Sequence, residues 1–183
     1  MRDIKVASRY AKSLLSIAVE QNALEELYQD MISIRKVCSE NHDLTVLLKS
    51  PIVKGDKKEA ILNEIFTSIH KISKAFISIV VTKKREGILE DIATAFIEKY
   101  KEHKNIKTVS VTSAIQLTKD QKDKLVALSN KDNSTIELVE MVNPDIIGGL
   151  ILRIGDTQID ESIKRKLSNL AMEFDDNPYV KEF

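Results

Sequence analysis

Two apolar rhythms divide the chain. From residue 4 to about residue 100, apolar and small residues recur at spacings of three and four, the period of one helical face. Beyond about residue 107, short runs alternate by two between turn residues, which is the period of strands.

In "IKVASRYAKSLLSIAVEQ" the residues Ala7, Tyr10, Ala11, Leu14, Leu15 and Ala18 form one face and predict a first helix. After Asn22, Leu24, Leu27, Met31, Ile34 and Cys38 make the stripe of a second, which Asn41-His42-Asp43 interrupts. A short helix, "DLTVLLKS", stops at Pro51. In "VKGDKKEAILNEIFTS", Asp56 is the expected N-cap, with Ala60, Ile61, Ile65 and Phe66 facing inward. A fifth helix is expected over residues 72–85 and a sixth over 88–100, with Gly87 between them.

"KTVSVTSA" then alternates Val109 and Val111 with Thr and Ser, and the polar stretch "KEHKNIK" before it marks a domain boundary. Thr118 and Gln121 have capping-box spacing, opening a helix with Leu125 and Leu128 on its apolar face. Strands "STIELVEMV" and "GLILRI" follow, and Gly155-Asp156 forms a two-residue turn into "TQID". A last helix over 161–174 is expected to point Ile163, Leu167 and Leu170 inward, and the tail could dock through Tyr179, Val180 and Phe183. The expected fold class is mainly α: a five- to six-helix bundle over residues 1–105, then a small α/β domain over 106–183 with a short acidic tail.

Composition narrows the function classes. With 43% hydrophobic and 31% charged residues, the chain has the makeup of a globular domain rather than a disordered one. The longest apolar runs, "AFISIVV" and "IIGGLILRI", are shorter than the roughly 20 residues that span a bilayer. Lys5, Arg9 and Lys12 break up the N-terminus as a signal peptide, so a cytoplasmic protein that reaches membranes only through partners is expected. Net charge is zero, with 18 Lys and Arg against 15 Asp and Glu in residues 1–105 and 10 against 13 in 106–183. Neither half has the basic excess of a nucleic-acid binder, and "KKRE" at 83–86 reads as a solvated helix end.

No catalytic constellation emerges. Cys38 is the single cysteine and is read as a buried, inert thiol. His42, His70 and His103 lie apart at turns or helix ends with no second ligand at metal spacing, so neither metal nor cofactor is expected. The glycines of "NPDIIGGLILRIGDTQID" precede a strand, whereas a phosphate loop sets its glycines after a strand and at the mouth of a helix. They are read as backbone devices. The remaining candidates are partner surfaces: the small residues of helix 1, and helix 5, whose Phe76, Ile77, Ile79, Val80 and Val81 cover most of its circumference.

The segments "VASRYAKSLLSIA", "LLKSPIVKGDKKEAI" and "VVTKKREGILEDI", and above all "VSVTSAIQLT" with "IELVEMVNPDIIGGLILRIGDTQIDESIKRKL", resemble the delta subunit of bacterial F-type ATP synthase. The family includes the mitochondrial oligomycin-sensitivity-conferring protein, and the resemblance runs from about residue 5 to 170. It implies a non-catalytic stator component that ties the catalytic head to the peripheral stalk at the cytoplasmic face of the bacterial membrane. By the same resemblance, the helical domain receives the N-terminal helix of an alpha subunit in a groove between helices 1 and 5. The groove positions carried over are Ala7, Tyr10, Ala11 and Leu14 with Phe76, Ile77, Val80 and Val81. The C-terminal domain would engage the C-terminal ends of the b subunits, and Gly148, Gly149, Asp160, Ser162 and Leu167 fall on the family's C-terminal motif. After Ser162 the chain departs from the family's arginines, with Lys164 and Lys166 around Arg165, and lysine does not reproduce bidentate arginine contacts. A soluble helical adaptor or regulatory protein of another complex is the alternative reading of the same residues.

Overall fold

Apolar spacing of four, three and four builds the first part of the molecule. In the computed structural model, which describes residues 2–129 and 134–175, α1 (Arg2–Glu20) buries Ala7, Ala11, Leu14 and Ala18. Along α2 (Leu24–Glu40) the buried stripe is Leu27, Met31, Ile34 and Cys38, at the same spacing. Both pack on α6 (Leu89–His103), which buries Leu89, Ile92, Ala93, Phe96, Ile97 and Tyr100. Among the described residues of this unit, Met1–His103, α6 is the helix on which both α1 and α2 pack. α5 (Lys71–Thr82) packs on α4 (Gly55–Ile65) and leaves Ile79 half-exposed.

Helix ends are set by backbone closures and by distant side chains. Asn22 and Lys84 take positive φ values of 53° and 55°. At each, two backbone bonds close the helix: Ala23 N–H to Ala18 O with Asn22 N–H to Val19 O, and Arg85 N–H to Val80 O with Lys84 N–H to Val81 O. This is the Schellman closure. Lys84, not Gly87, therefore ends α5, and Gly87 sits inside a 3-10 turn, Glu86–Ile88. The start of α5 is held from α2, where Asp30 accepts hydrogen bonds from His70 N–H (2.9 Å) and the Ser73 hydroxyl (2.5 Å). The N-cap itself is His70, whose Nδ1 accepts from Ile72 N–H at 3.3 Å, and forty residues separate Asp30 from His70, so no local pattern announces that second anchor.

One face in this unit differs from expectation. α4 begins after Lys54, with Asp56 in its first turn, and it buries Lys58 and Leu62 while Ala60 and Ile65 face solvent. The rotation has an electrostatic cause. Lys58 Nζ reaches the carbonyl of Leu48 at the end of α3 (His42–Lys49) and Glu86 Oε1, each at 2.7 Å. A lysine with two buried acceptors turns inward, displacing Ala60 from the interior.

The second unit, Lys104–Phe183, is an α/β layer. Its four strands are β1 (Ile106–Ser113), β2 (Thr135–Val142), β3 (Leu150–Ile154) and β4 (Thr157–Asp160), in the order β2-β1-β3-β4. β1 pairs parallel with β2 across α7 (Lys119–Ser129), while β3 is antiparallel to both β1 and β4. Val109, Val111, Leu117 and Leu125 are its buried core, flanked by Ile136, Leu138, Leu150, Leu152 and Ile154. Gln121 reaches back to accept from Thr118 N–H at 2.9 Å, the expected cap of α7. Leu128, expected on the apolar face of that helix, is exposed. Ile154 pairs with Thr157 around Gly155, whose φ of 56° makes the predicted two-residue turn. The tail residues Tyr179, Val180 and Phe183 lie outside the described residues.

Candidate functional site

The groove positions are mostly interior. Ala7, Ala11 and Leu14 of α1, and Phe76, Ile77, Val80 and Val81 of α5, are buried; Tyr10 is half-exposed. Tyr10 and Phe76 meet edge to face with ring centroids 6.3 Å apart, which brings α1 and α5 together at one point. Beside that contact, α5 offers Ile72, Ala75 and Ile79 and α1 offers Val6 and Ile17 as partly or fully exposed apolar residues at helical spacing. Seven of the eight positions are thus interior, and the accessible apolar surface of α1 and α5 is supplied by other residues of each helix. Sequence reasoning missed Ile72, Ala75 and Val6 because burial of the neighbouring stripe, which decides what is left outside, is a tertiary property.

The C-terminal motif forms a joint. Ser162 caps α8 (Ile163–Asp175): its hydroxyl accepts from Arg165 N–H at 3.2 Å, and its own N–H donates to Asp160 Oδ1 at 2.9 Å. Hydrogen bonding to Ser162, through its side chain first and its backbone second, holds the Asp160 carboxyl below its ordinary pKa. The helix start is then pinned to the entrance of β3, with Glu161 N–H on Leu150 O and Ile163 N–H on Gly148 O, both 2.9 Å.

Gly149 makes that contact possible, and Gly148 leaves room beside it for the end of the Ile163 side chain. A Cβ on Gly148 would come within 2.7 Å of Ile163 Cδ1, and one on Gly149, where φ is 79°, would overlap the carbonyl oxygen of Glu161. The glycines are therefore backbone devices at a strand–helix joint. The preceding residue, Ile147, also has positive φ, 67°, which its sequence does not suggest.

Leu167, the remaining motif position, takes no part in the joint. The expectation that Ile163, Leu167 and Leu170 point inward is not met: they are 43%, 52% and 47% exposed, and Phe174 is 82% exposed. α8 touches the rest of its unit near its first turn and the 3-10 turn Pro144–Ile146, so its apolar stripe continues into solvent.

Other polar groups stabilise the units. Glu140 on β2 accepts from Leu117 N–H (2.6 Å) and pairs with Lys122 (2.5 Å), tying the start of α7 to the sheet. The Lys122 bond and then the Leu117 bond lower its pKa. Burial, with Glu90 nearby, raises the Cys38 thiol to about 11, which makes it a poor nucleophile. Tyr100 stacks on Tyr28 at 3.8 Å and donates to Glu25 at 2.6 Å; burial and that bond raise its phenol to about 12. An open hollow of about 990 Å³ between Leu48 and Ile88 has Lys58 and Glu86 in its wall, and a more apolar one of about 490 Å³ lies between Ile115, Leu125 and Gly148. Among the described residues, no group of three or more His, Cys, Asp or Glu could hold a metal, and no helix is long and apolar enough to cross a membrane.

A helical unit followed by a small α/β unit, with a strand–helix joint built on paired glycines, defines a two-part, mainly α protein. A family model described as ATP synthase delta (OSCP) subunit matches residues 6–174, and the chain belongs to that family. It is 38% identical over 183 residues to the ATP synthase subunit delta of Christiangramia forsetii, covering the whole of both chains. It is 37% identical over 175 residues to that of Cytophaga hutchinsonii, covering 95% of this chain and 96% of the relative. A chain from the cryo-EM structure of the Toxoplasma gondii mitochondrial ATP synthase hexamer shares the fold, with a TM-score of 0.70 and 20% identity over 92% of this chain and 96% of that one.

Proposed function

We propose that this protein is the non-catalytic stator subunit of an F-type ATP synthase, joining the catalytic head to the peripheral stalk and resisting rotor torque. The observation that carries the reading is the family match across both units, residues 6–174. A stator breaks no bonds in its substrate; it holds two partners while force acts between them. Two modest interfaces on one chain serve this because tethering raises the effective concentration of each broken contact.

The N-terminal helix of an alpha subunit would lie along α1 and α5, over Tyr10 and Phe76 and between the accessible Val6 and Ile17 on one side and Ile72, Ala75 and Ile79 on the other. An amphipathic helix seats its apolar face in such a cleft. The C-terminal ends of the b subunits would attach to the second unit. The protein then sits peripherally at the cytoplasmic face of the bacterial membrane, held there by its complex.

The test is titration of the full chain with a synthetic peptide of the first twenty or so residues of the alpha subunit from the same cell, a length that gives an amphipathic helix of about 30 Å. Binding at micromolar concentration, weakened by Ile79→Asp and retained by a chain lacking residues 106–183, is the expected result. No binding at tens of micromolar, or binding indifferent to Ile79→Asp, overturns the groove.

A further inference from the structure

The open hollow of about 990 Å³ between Leu48 and Ile88 is unevenly charged. Four lysines line it, Lys49, Lys54, Lys58 and Lys84, against three carboxylates, Asp56, Glu59 and Glu86. Two of those carboxylates are engaged by the fold: Glu59 accepts from the Ser78 hydroxyl, and Glu86 Oε1 accepts from the buried Lys58 at 2.7 Å. Lys49, Lys54 and Lys84 are exposed and, among the described residues, enter no ion pair. Three such cations around one hollow repel one another, and an anion held between them turns repulsion into attraction.

Backbone donors line the same space. α4 begins after Lys54 with no side-chain cap, and the N–H groups of Gly55 and Asp56, both in the wall of the hollow, meet no acceptor among the described residues. First-turn N–H groups carry the positive end of the helix dipole and suit phosphate oxygens.

A third observation, separate from the cations, fixes more of the ligand. Glu86 is 9% exposed and also lines the hollow, and among the described residues its Oε2 has no hydrogen-bond partner. A buried carboxylate oxygen without a donor is uncommon and is completed by a group from outside the fold. Lys49 does not supply it: its stem lies across Gly87, where a Cβ would come within 3.3 Å of Lys49 Cγ, yet its ammonium makes no bond to Glu86. Because Lys58 already sits on the same carboxylate, a neutral hydroxyl suits Oε2 better than a second cation. Ligand sites span about 300–1,000 Å³, so this hollow is far roomier than a single phosphate ion needs.

We propose that the hollow binds a phosphate ester of a polyol, of sugar-phosphate or nucleotide size. Its phosphate lies among Lys49, Lys54, Lys84 and the first N–H groups of α4, and one of its hydroxyls donates to Glu86 Oε2. The proposal is independent of the stator reading. Because the hollow is walled by α3, α4, α5 and the turn before α6, an occupant also stabilises the helical unit by mass action.

The experiment titrates the full chain with ribose 5-phosphate, ADP, propyl phosphate and adenosine, read by calorimetry and by amide NMR. Ribose 5-phosphate or ADP should bind saturably with a Kd below about 1 mM, shifting the amides of Gly55, Asp56 and Gly87. ADP binding at least about tenfold tighter than ribose 5-phosphate identifies a nucleotide, and closer affinities identify a phosphorylated sugar. Propyl phosphate, which lacks hydroxyls, should bind at least about tenfold more weakly than ribose 5-phosphate, and adenosine, which lacks phosphate, at least about tenfold more weakly than ADP. Lys49→Gln with Lys54→Gln should weaken binding at least about tenfold and, both residues being exposed, leave helical circular dichroism unchanged. Glu86→Gln would disturb the Lys58 pair as well, so propyl phosphate carries the test of that contact. No saturable binding at about 10 mM ligand, or binding indifferent to the lysine double variant, overturns the proposal. Propyl phosphate equal to ribose 5-phosphate, or adenosine equal to ADP, overturns it too.

Discussion

Gly149 lies directly against the carbonyl oxygen of Glu161, so close that any β-carbon at position 149 would overlap it. The strand that Gly149 introduces and the helix that Glu161 precedes are thereby locked at one point. The φ of 79° at Gly149 adds a second requirement for glycine. Gly149→Ala should destabilise the second unit by about 2 kcal/mol or more, from left-handed backbone strain plus the clash. Gly155→Ala, at φ 56° with open space around it, should cost only the backbone part, about 1–2 kcal/mol. Thermal unfolding of the two variants checks the order, and equal losses would mean that the Glu161 contact is unimportant.

Ser162 sits at the same joint as an N-cap. Ser162→Ala should cost about 1 kcal/mol, and Ser162→Asp should cost less because it restores an acceptor for Arg165 N–H. Amide hydrogen exchange in the first turn of α8 measures this directly, with faster exchange expected in the alanine variant alone.

Lys58 and Glu86 form a buried pair that joins α4 to the turn before α6, with the Leu48 carbonyl as a third member. Glu86 Oε2 has no hydrogen-bond partner among the described residues, so the cluster is only partly satisfied. Lys58→Met should destabilise the helical unit by about 3–5 kcal/mol, because it strands a buried carboxylate. Adding Glu86→Leu to it should recover a large share of that loss, and denaturant unfolding of the two single variants and the double variant gives the coupling.

Acid should loosen the second unit through Asp160 and Glu140. Both carboxyls have native pKa values below their ordinary ones. A depressed native pKa contributes stability above the unfolded value, near pH 4, and that contribution is lost as pH falls through the native value. The unit should therefore lose stability below about pH 4, and Asp160→Asn with Glu140→Gln should flatten that acid limb. Denaturation midpoints against pH report it, and an unchanged acid limb in the double variant would rule out these two groups as its source.

Leucines at equivalent spacing should separate by location. Leu14→Ala, in the filled seam of α1, should cost about 2–5 kcal/mol. Leu167→Ala, in the open seam of α8, should change stability by less than about 1 kcal/mol. Chemical denaturation of the two variants distinguishes them, and a large loss at Leu167 would place it in a core after all.

Periodicity alone determined most of the architecture. Helices and strands lie close to the positions their patterns predict, Gly155 turns the expected hairpin, and Thr118 with Gln121 caps α7. The placement of "IIGGLILRI" before and within a strand was enough to read its glycines as backbone devices, because that order leaves no helix N-terminus for a phosphate. Tertiary structure decided what covers each stripe. An amphipathic pattern states that a face seeks cover and is silent on what supplies it, which is why the stripes of α1 and α8 read alike although α6 fills one and solvent the other. The same holds for the inward turn of Lys58 and the anchoring of the start of α5 by Asp30, since both depend on groups brought together from 28 and 40 residues away.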